Sequence, residues 1–168
     1  MKPMRVYVGL GSNLGHPRRQ LARAMRALAR LPRTRVVGVS SNYVSAPIDS
    51  PGPQPEFINA VAALETALPP LGLLGRLRAI ERRHRRVRQH QRNAPRTLDL
   101  DVLLYGRARL HHPRLEVPHP RMSARAFVLR PLVEVSPGVT IPGRGLARAF
   151  LPAVRKQRIA RTRLHVLH

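Results

Sequence analysis

The chain has no cysteine and no tryptophan, only three tyrosines and three phenylalanines, and just eight acidic residues among 168. Each shortage removes a class of explanation. Without cysteine there is neither a disulfide nor a thiolate metal site, which fits a reducing compartment. The start, Met-Lys-Pro-Met-Arg, lacks a signal-type apolar stretch, and the most apolar region, residues 57–75, is interrupted by Asn59, Glu65, Pro69 and Pro70. Neither secretion nor membrane spanning is expected, and a cytoplasmic location is. With so few aromatics and no RNA-reading motif, recognition of bases by stacking has little to work with.

The scarcity of acid leaves 31 Lys plus Arg unbalanced, a formal charge of +23. Such a surface repels itself and seeks anions, so non-specific nucleic-acid contact is open on charge alone. Length and a hydrophobic share of 43% suit one domain, residues 1–168, with a substantial core. Seventeen prolines divide it into short elements, and there is no internal repeat.

Residues 6–10 form a short apolar strand that runs into Gly9-Leu10-Gly11-Ser12-Asn13-Leu14-Gly15. That spacing is neither a P-loop nor a dinucleotide fingerprint, and it reads as a strand-to-helix turn. Leu21, Ala24, Met25, Leu28 and Leu31 recur at helical spacing after Pro17. Residues 35–44 alternate as one strand, and the proline-rich stretch 45–55 is long enough to be a lid or binding loop. A strand over 57–68 precedes a helix whose Leu71, Leu74, Leu77 and Ile80 are expected to face the core. An irregular stretch, 85–95, leads to a further strand, then a probable hairpin and a short helix around 123–130. The order strand, helix, strand, strand, helix, strand is that of an α+β, ferredoxin-like βαββαβ core, mainly antiparallel, with its helices on one face. Residues 144–168 carry seven basic residues and no acid, and are expected to be a C-terminal helix or tail.

The most informative segment is Pro95-Arg96-Thr97-Leu98-Asp99-Leu100-Asp101-Val102. Strand side chains alternate, so Asp99 and Asp101 share one face while Leu98, Leu100 and Val102 share the other. A rise of about 3.3 Å per residue starts the carboxylates roughly 6 to 7 Å apart. From there they can converge on hard cations about 3.5 to 4 Å apart. A lone D-x-D in a half-exposed strand is ordinarily two solubilising acids. Here nine arginines lie between Arg76 and Arg96, with Glu81 the one acid among them. Guanidinium forks match phosphate oxygens, so paired aspartates beside an arginine run suggest magnesium and a polyphosphate. Most of those arginines read as a solvated helix face; Arg86, Arg88 and Arg96 are singled out for the anion.

Several segments together resemble the 6-hydroxymethyl-7,8-dihydropterin pyrophosphokinase family. They are Gly11-Ser12-Asn13, S-x-x-Y-x-S-x-P at 40–47, Q-P-x-F-x-N at 54–59, Ile80-Glu81, R-x-R at 86–88, P-R-T-L-D-L-D at 95–101, V-P-H-P-R-M at 117–122, R-A-F at 125–127 and P-L-x-E-x-x-P at 131–137. The resemblance runs through most of the chain and implies the ferredoxin-like fold. It also implies transfer of diphosphate from ATP to a pterin alcohol, with release of AMP, as a step of folate biosynthesis.

Carried over by position, Asp99 and Asp101 would bind two magnesium ions that bridge the phosphates of ATP. Arg86 and Arg96 would clamp the transferred phosphates, with Arg88 a further basic residue of the loop, and His119 and Arg125 would lie at the nucleotide. Asn59 would hydrogen-bond the pterin, Phe57 and Phe127 would stack on its two faces, and the backbone around Ser45, Ala46 and Ile48 would read its edge. A flat amide-like heterocycle does need aromatic faces and a bidentate amide partner, although an isolated phenylalanine is ordinarily core. Segments 45–55 and 85–95 would close over the reactants to exclude water. The chain departs from the family pattern at Arg85, where a glycine is frequent, and at Asn93 and Ala94. A paralogue acting on another pterin, or a nucleic-acid-binding protein on the same scaffold, are the alternatives.

Overall fold

The structure is a computed structural model and describes residues 2–46, 56–85 and 98–162. The core follows the order β1 (Met4–Ser12), α1 (Pro17–Ala29), β2 (Thr34–Val39), β3 (Tyr43–Ser45), β4 (Phe57–Thr66), α2 (Pro70–Arg85) and β5 (Asp99–Tyr105). Beyond it come the hairpin β6 (Leu110–His112) and β7 (Leu115–Val117), then α3 (Ala126–Val135), the small pair β8 (Thr140–Ile141) and β9 (Gly145–Leu146), and β10 (Ile159–Arg161). The main sheet is antiparallel in the order β10-β3-β4-β1-β5, with β2 also on β4. The ferredoxin-like arrangement is therefore the one that the strand and helix order implies.

Alternation along the strands builds two cores. Val6, Val8 and Leu10 of β1, Ile58, Ala60, Ala62 and Leu64 of β4, and Leu98, Leu100 and Val102 beside or in β5 face α1 and α2. Tyr7, Val61, Ala63, Leu103 and Leu104 face α3 and the C-terminal elements. Helices thus cover both faces, where one was expected, because α3 caps half of the face that α1 and α2 leave open. Leu103 and Leu104 point the same way because the β1–β5 register slips between Tyr7 and Val8; the extra residue is a bulge.

The expected core stripe of α2 shifts. Leu73, Leu74, Leu77 and Ile80 are buried, whereas Leu71 is 37% exposed. Leu71 lies about 200° around the helix from Leu73, outside a stripe that runs through Leu73, Leu77 and Ile80. The single strand expected over 35–44 is two. The register on β4 slips at Gly38 and again across residues 40–42. There the Ser40 hydroxyl accepts the Val61 N–H at 2.9 Å while the Ser40 N–H donates to the Val61 carbonyl at 2.9 Å.

As far as residue 162, the C-terminal segment expected as a helix or tail consists of short 3₁₀ turns and strands. Its short turns at Ala147–Phe150 and Pro152–Val154 pack Ala147 and Val154 against α3, and β10 pairs with β3 from Ile159↔Ser45 to Arg161↔Tyr43. The irregular stretch 85–95 falls, after Arg85, outside the described residues, as do 47–55 and 163–168. No helix among the described residues is long and apolar enough to cross a membrane.

One polar contact joins β3 to α3. The Tyr43 hydroxyl donates to Glu134 Oε1 at 2.5 Å, and Ser41 donates its N–H and hydroxyl to Oε2 at 2.8 and 2.9 Å. Burial, then the Glu134 contact, pushes the Tyr43 phenol up to about 12. Burial alone would raise the Glu134 carboxyl, but the donors from Tyr43 and Ser41 outweigh it and hold it below the usual 4.5. Tyr43→Phe is expected to lower the unfolding free energy by about 1.5–3 kcal/mol in urea titrations, the range for a hydrogen bond to a charged group. Because the folded carboxyl binds its proton later than the unfolded one, its stabilisation is present above the unfolded value and is lost as the pH falls through the folded value. Glu134→Gln should accordingly flatten the decline of the urea midpoint below about pH 4.5.

Candidate functional site

Where α3 stops covering its face of the sheet, the strands line a cavity of about 390 Å³. Its floor is set by β1, whose residues on this side are Gly9 and Gly11. The register places Asp99 and Asn59 on either side of Gly11, and Asp101 and Val61 on either side of Gly9. Two rows thus cross the sheet, with carboxylates at the β5 end and an amide at the β4 end, separated by backbone alone. A Cβ at Gly11 would stand 3.1 Å from Asn59 Oδ1, and one at Gly9 would touch Leu103 at 3.5 Å. Bare backbone at these positions keeps the floor open.

The amide end is held by β3. Asn59 is buried, and its Nδ2 donates to Ser45 Oγ at 2.7 Å, so the side chain is fixed by a strand neighbour rather than by solvent. Ser45, Ala46 and Phe57 continue the wall. Opposite them, the start of α3 brings in Arg125, Phe127 and Val128. The Arg125 guanidinium lies 5.4 Å from the centre of the Phe127 ring, a cation–π contact. The two phenylalanines are half-buried, in keeping with rings that form a wall rather than a core.

The carboxylate end is framed by the segment after β7, which follows a cis Val117–Pro118 bond. The His119 N–H donates to the Leu103 carbonyl at 2.9 Å, which ties this segment to β5. Burial lowers the His119 imidazole below its ordinary range; Asp101 opposes that shift, while Arg125 and Arg121 add to it. Burial and the two guanidiniums thus favour the neutral ring. Its Nδ1 accepts the Arg121 N–H at 3.1 Å, which puts the imidazole proton on Nε2.

Of the residues expected from sequence, Ser45, Ala46, Phe57, Asn59, Asp99, Asp101, Arg125 and Phe127 meet around this cavity. His119 stands beside them, next to Asp101. Ile48, Arg86, Arg88 and Arg96 lie outside the described residues. Arg121, Val128 and the glycine pair were not expected at the site. Arg121 could have been found, since it belongs to the V-P-H-P-R-M segment; Val128 carries no chemical signal.

Two carboxylates supply hard oxygen donors without completing a metal shell, and the described residues hold no group of three or more His, Asp or Glu able to bind a metal. A half-built oxygen shell fits magnesium, which keeps water and takes phosphate oxygens for its remaining positions. The arrangement offers a cation end, an amide slot and aromatic walls within one cavity.

Comparison with known proteins shows which family the chain resembles. The 7,8-dihydro-6-hydroxymethylpterin-pyrophosphokinase (HPPK) family pattern matches residues 7–137. The 2-amino-4-hydroxy-6-hydroxymethyldihydropteridine pyrophosphokinase of Pseudomonas aeruginosa is 55% identical over 138 residues, 82% of this chain and 84% of that protein. Its namesake from Haemophilus influenzae is 46% identical over 136 residues, 81% and 84% of the two chains. Among solved structures, an HPPK-DHPS in complex with substrates superposes with a TM-score of 0.75 at 12% identity, covering 96% of this chain and 47% of that one. The wild-type Plasmodium falciparum HPPK-DHPS gives 0.69 at 14% identity, covering 90% and 45%. The chain spans under half the length of those solved chains, and at such identity they speak for the fold alone. The bacterial identities, sustained across most of both partners, establish that this chain belongs to the 7,8-dihydro-6-hydroxymethylpterin-pyrophosphokinase family.

Proposed function

We propose that the pyrophosphokinase reaction of folate biosynthesis runs on the cavity face of the sheet, with the carboxylate end for ATP and the amide end for 6-hydroxymethyl-7,8-dihydropterin. The observation that carries this reading is the row Asp99–Gly11–Asn59 across three adjacent strands. It sets a phosphate-directed end and a heterocycle-directed end on one open floor.

In this reading Asn59 pairs with the pterin amide edge, Phe57 and Phe127 flank the ring, and the backbone of Ser45, Ala46 and Ile48 meets its other edge. Asp99 and Asp101 hold two magnesium ions against the phosphates, and Arg86 and Arg96 take up the remaining charge. Arg88, His119 and Arg125 serve the nucleotide side. Magnesium bound there would neutralise the phosphate oxygens and fix the chain for in-line displacement. The pterin hydroxymethyl oxygen attacks the β-phosphorus and gives up its proton to water; its bond to that phosphorus forms as the bond from the β-phosphorus to the α–β bridging oxygen breaks, and AMP departs with that oxygen. No side chain has to act as a nucleophile, so the residues contribute alignment and charge complementarity. With its Nδ1 occupied by the Arg121 N–H, His119 offers Nε2 to the nucleotide side.

Incubation with Mg-ATP and the reduced pterin alcohol should yield AMP and the pterin diphosphate; ADP as the product, or no turnover, would overturn the assignment. Asp101→Asn should lower kcat by about 10²–10³, as loss of one electrostatic partner does, with pterin affinity in the absence of nucleotide retained in calorimetry. Asn59→Ala should weaken pterin binding by about 10- to 100-fold through loss of a buried hydrogen bond. Gly11→Ala should act in the same direction by displacing Asn59, and ATP-analogue binding checks that the other end of the cavity is intact.

A further inference from the structure

β5 is an edge strand, so alternate residues turn their main-chain groups away from β1. In the register Asp99↔Gly11, Leu100↔Leu10, Asp101↔Gly9, the residue between the two aspartates is Leu100. Its main-chain partners come from α2. Glu81 Oε2 accepts the Leu100 N–H at 2.8 Å, and Arg78 Nη1 donates to the Leu100 carbonyl at 2.9 Å. The same Nη1 donates to Glu81 Oε1 at 2.8 Å, which closes the set.

Glu81 is 3% exposed and sits among apolar residues of α2. A carboxylate there is costly unless its partners are specific. An apolar side chain would fill the stripe as well, but it would leave the Leu100 N–H without an acceptor. The pleat at Leu100 sets the distance and the relative aim of the carboxylates before and after it. Holding both the N–H and the C=O of that one residue fixes the pleat from outside the sheet.

We propose that Glu81 and Arg78 are positioning residues that clasp the main chain of Leu100 and thereby set the geometry with which Asp99 and Asp101 take divalent cations. Neither side chain of the clasp lines the cavity. It rests on the reading of the two aspartates as the cation end, and it adds a support from the opposite side of the sheet. The clasp also joins α2, which ends at Arg85, to the aspartate strand.

The test uses the whole protein with Mn²⁺ and a non-hydrolysable ATP analogue, reading Mn²⁺ affinity by electron paramagnetic resonance and Leu100 amide exchange by NMR. Glu81→Ala should weaken Mn²⁺ binding by about 10- to 100-fold, the usual cost of losing a group that orients a metal ligand. It should also speed exchange at Leu100 well above that at Leu64 in the central strand. Glu81→Gln, which keeps an acceptor for the amide, should stay close to wild type in both readouts. Arg78→Met removes a side chain that is 41% exposed and leaves the buried Glu81 carboxylate without its cation, so a urea titration first establishes the temperature at which the variant is folded; there it should shift both readouts in the same direction as Glu81→Ala.

If Glu81→Ala does not fold, Glu81→Gln and Arg78→Met decide. Mn²⁺ affinity unchanged in Arg78→Met despite faster Leu100 exchange would make the contact purely structural and overturn the proposal. Glu81→Gln as damaged as Glu81→Ala would also overturn it, since charge rather than the hydrogen bond would then matter. A wild-type protein that binds no Mn²⁺ with the analogue would instead sink the reading of the aspartates, an outcome distinct from wild type and variants that bind alike.

Discussion

The absence of side chains at two positions of a central strand is the constraint on which the cavity face depends. β1 lies between the strand with the carboxylates and the strand with the amide, and any ordinary residue at Gly11 would fill the gap between them. Antiparallel pairing brings the three strands into register, and pleating decides which residues look into the opening. Backbone geometry thus does what a larger enzyme could do with loops. It brings groups from Asn59 and Asp99, forty positions apart in the chain, to either side of one glycine.

The opposite face has a different task. There Leu21, Leu28, Leu73 and Leu77 are completely buried against the strands, so α1 and α2 form a rigid backing. Rigid elements are where precise constellations are best built. The cavity side is only half covered, by α3, and the uncovered half holds the cavity. One sheet therefore separates the packed face from the cavity face, with Glu81 and Arg78 reaching its edge strand from the packed side.

Much of this was legible in the chain. The D-x-D alternation placed both aspartates on one face, because period-two geometry leaves a strand no alternative. Element order led to the right topology, since each helix stripe and each strand was read from local spacing. The cavity set around Asn59, Phe57 and Phe127 came from motif resemblance rather than from periodicity. What escaped reading depended on distant parts of the chain. The break between β2 and β3 rests on Ser40 meeting Val61, and the exposure of Leu71 on where α2 begins relative to the sheet. The C-terminal strand was missed because three residues carry no period of their own and their partner lies more than a hundred positions earlier. The side chains at Gly9 and Gly11 are missing by definition, so only the register could show what their absence makes room for.

The family pattern ends at residue 137, whereas β10 begins at Ile159. Every residue around the cavity lies before that end, yet the strand that zips up the outer margin of Ser45 lies after it. Without β10, the three residues of β3 would present a ragged row of unmet amide groups, an invitation to pairing with another chain. The described part of that segment thus acts as a hem: it lines none of the cavity, and it covers the outer margin of the wall beside Asn59.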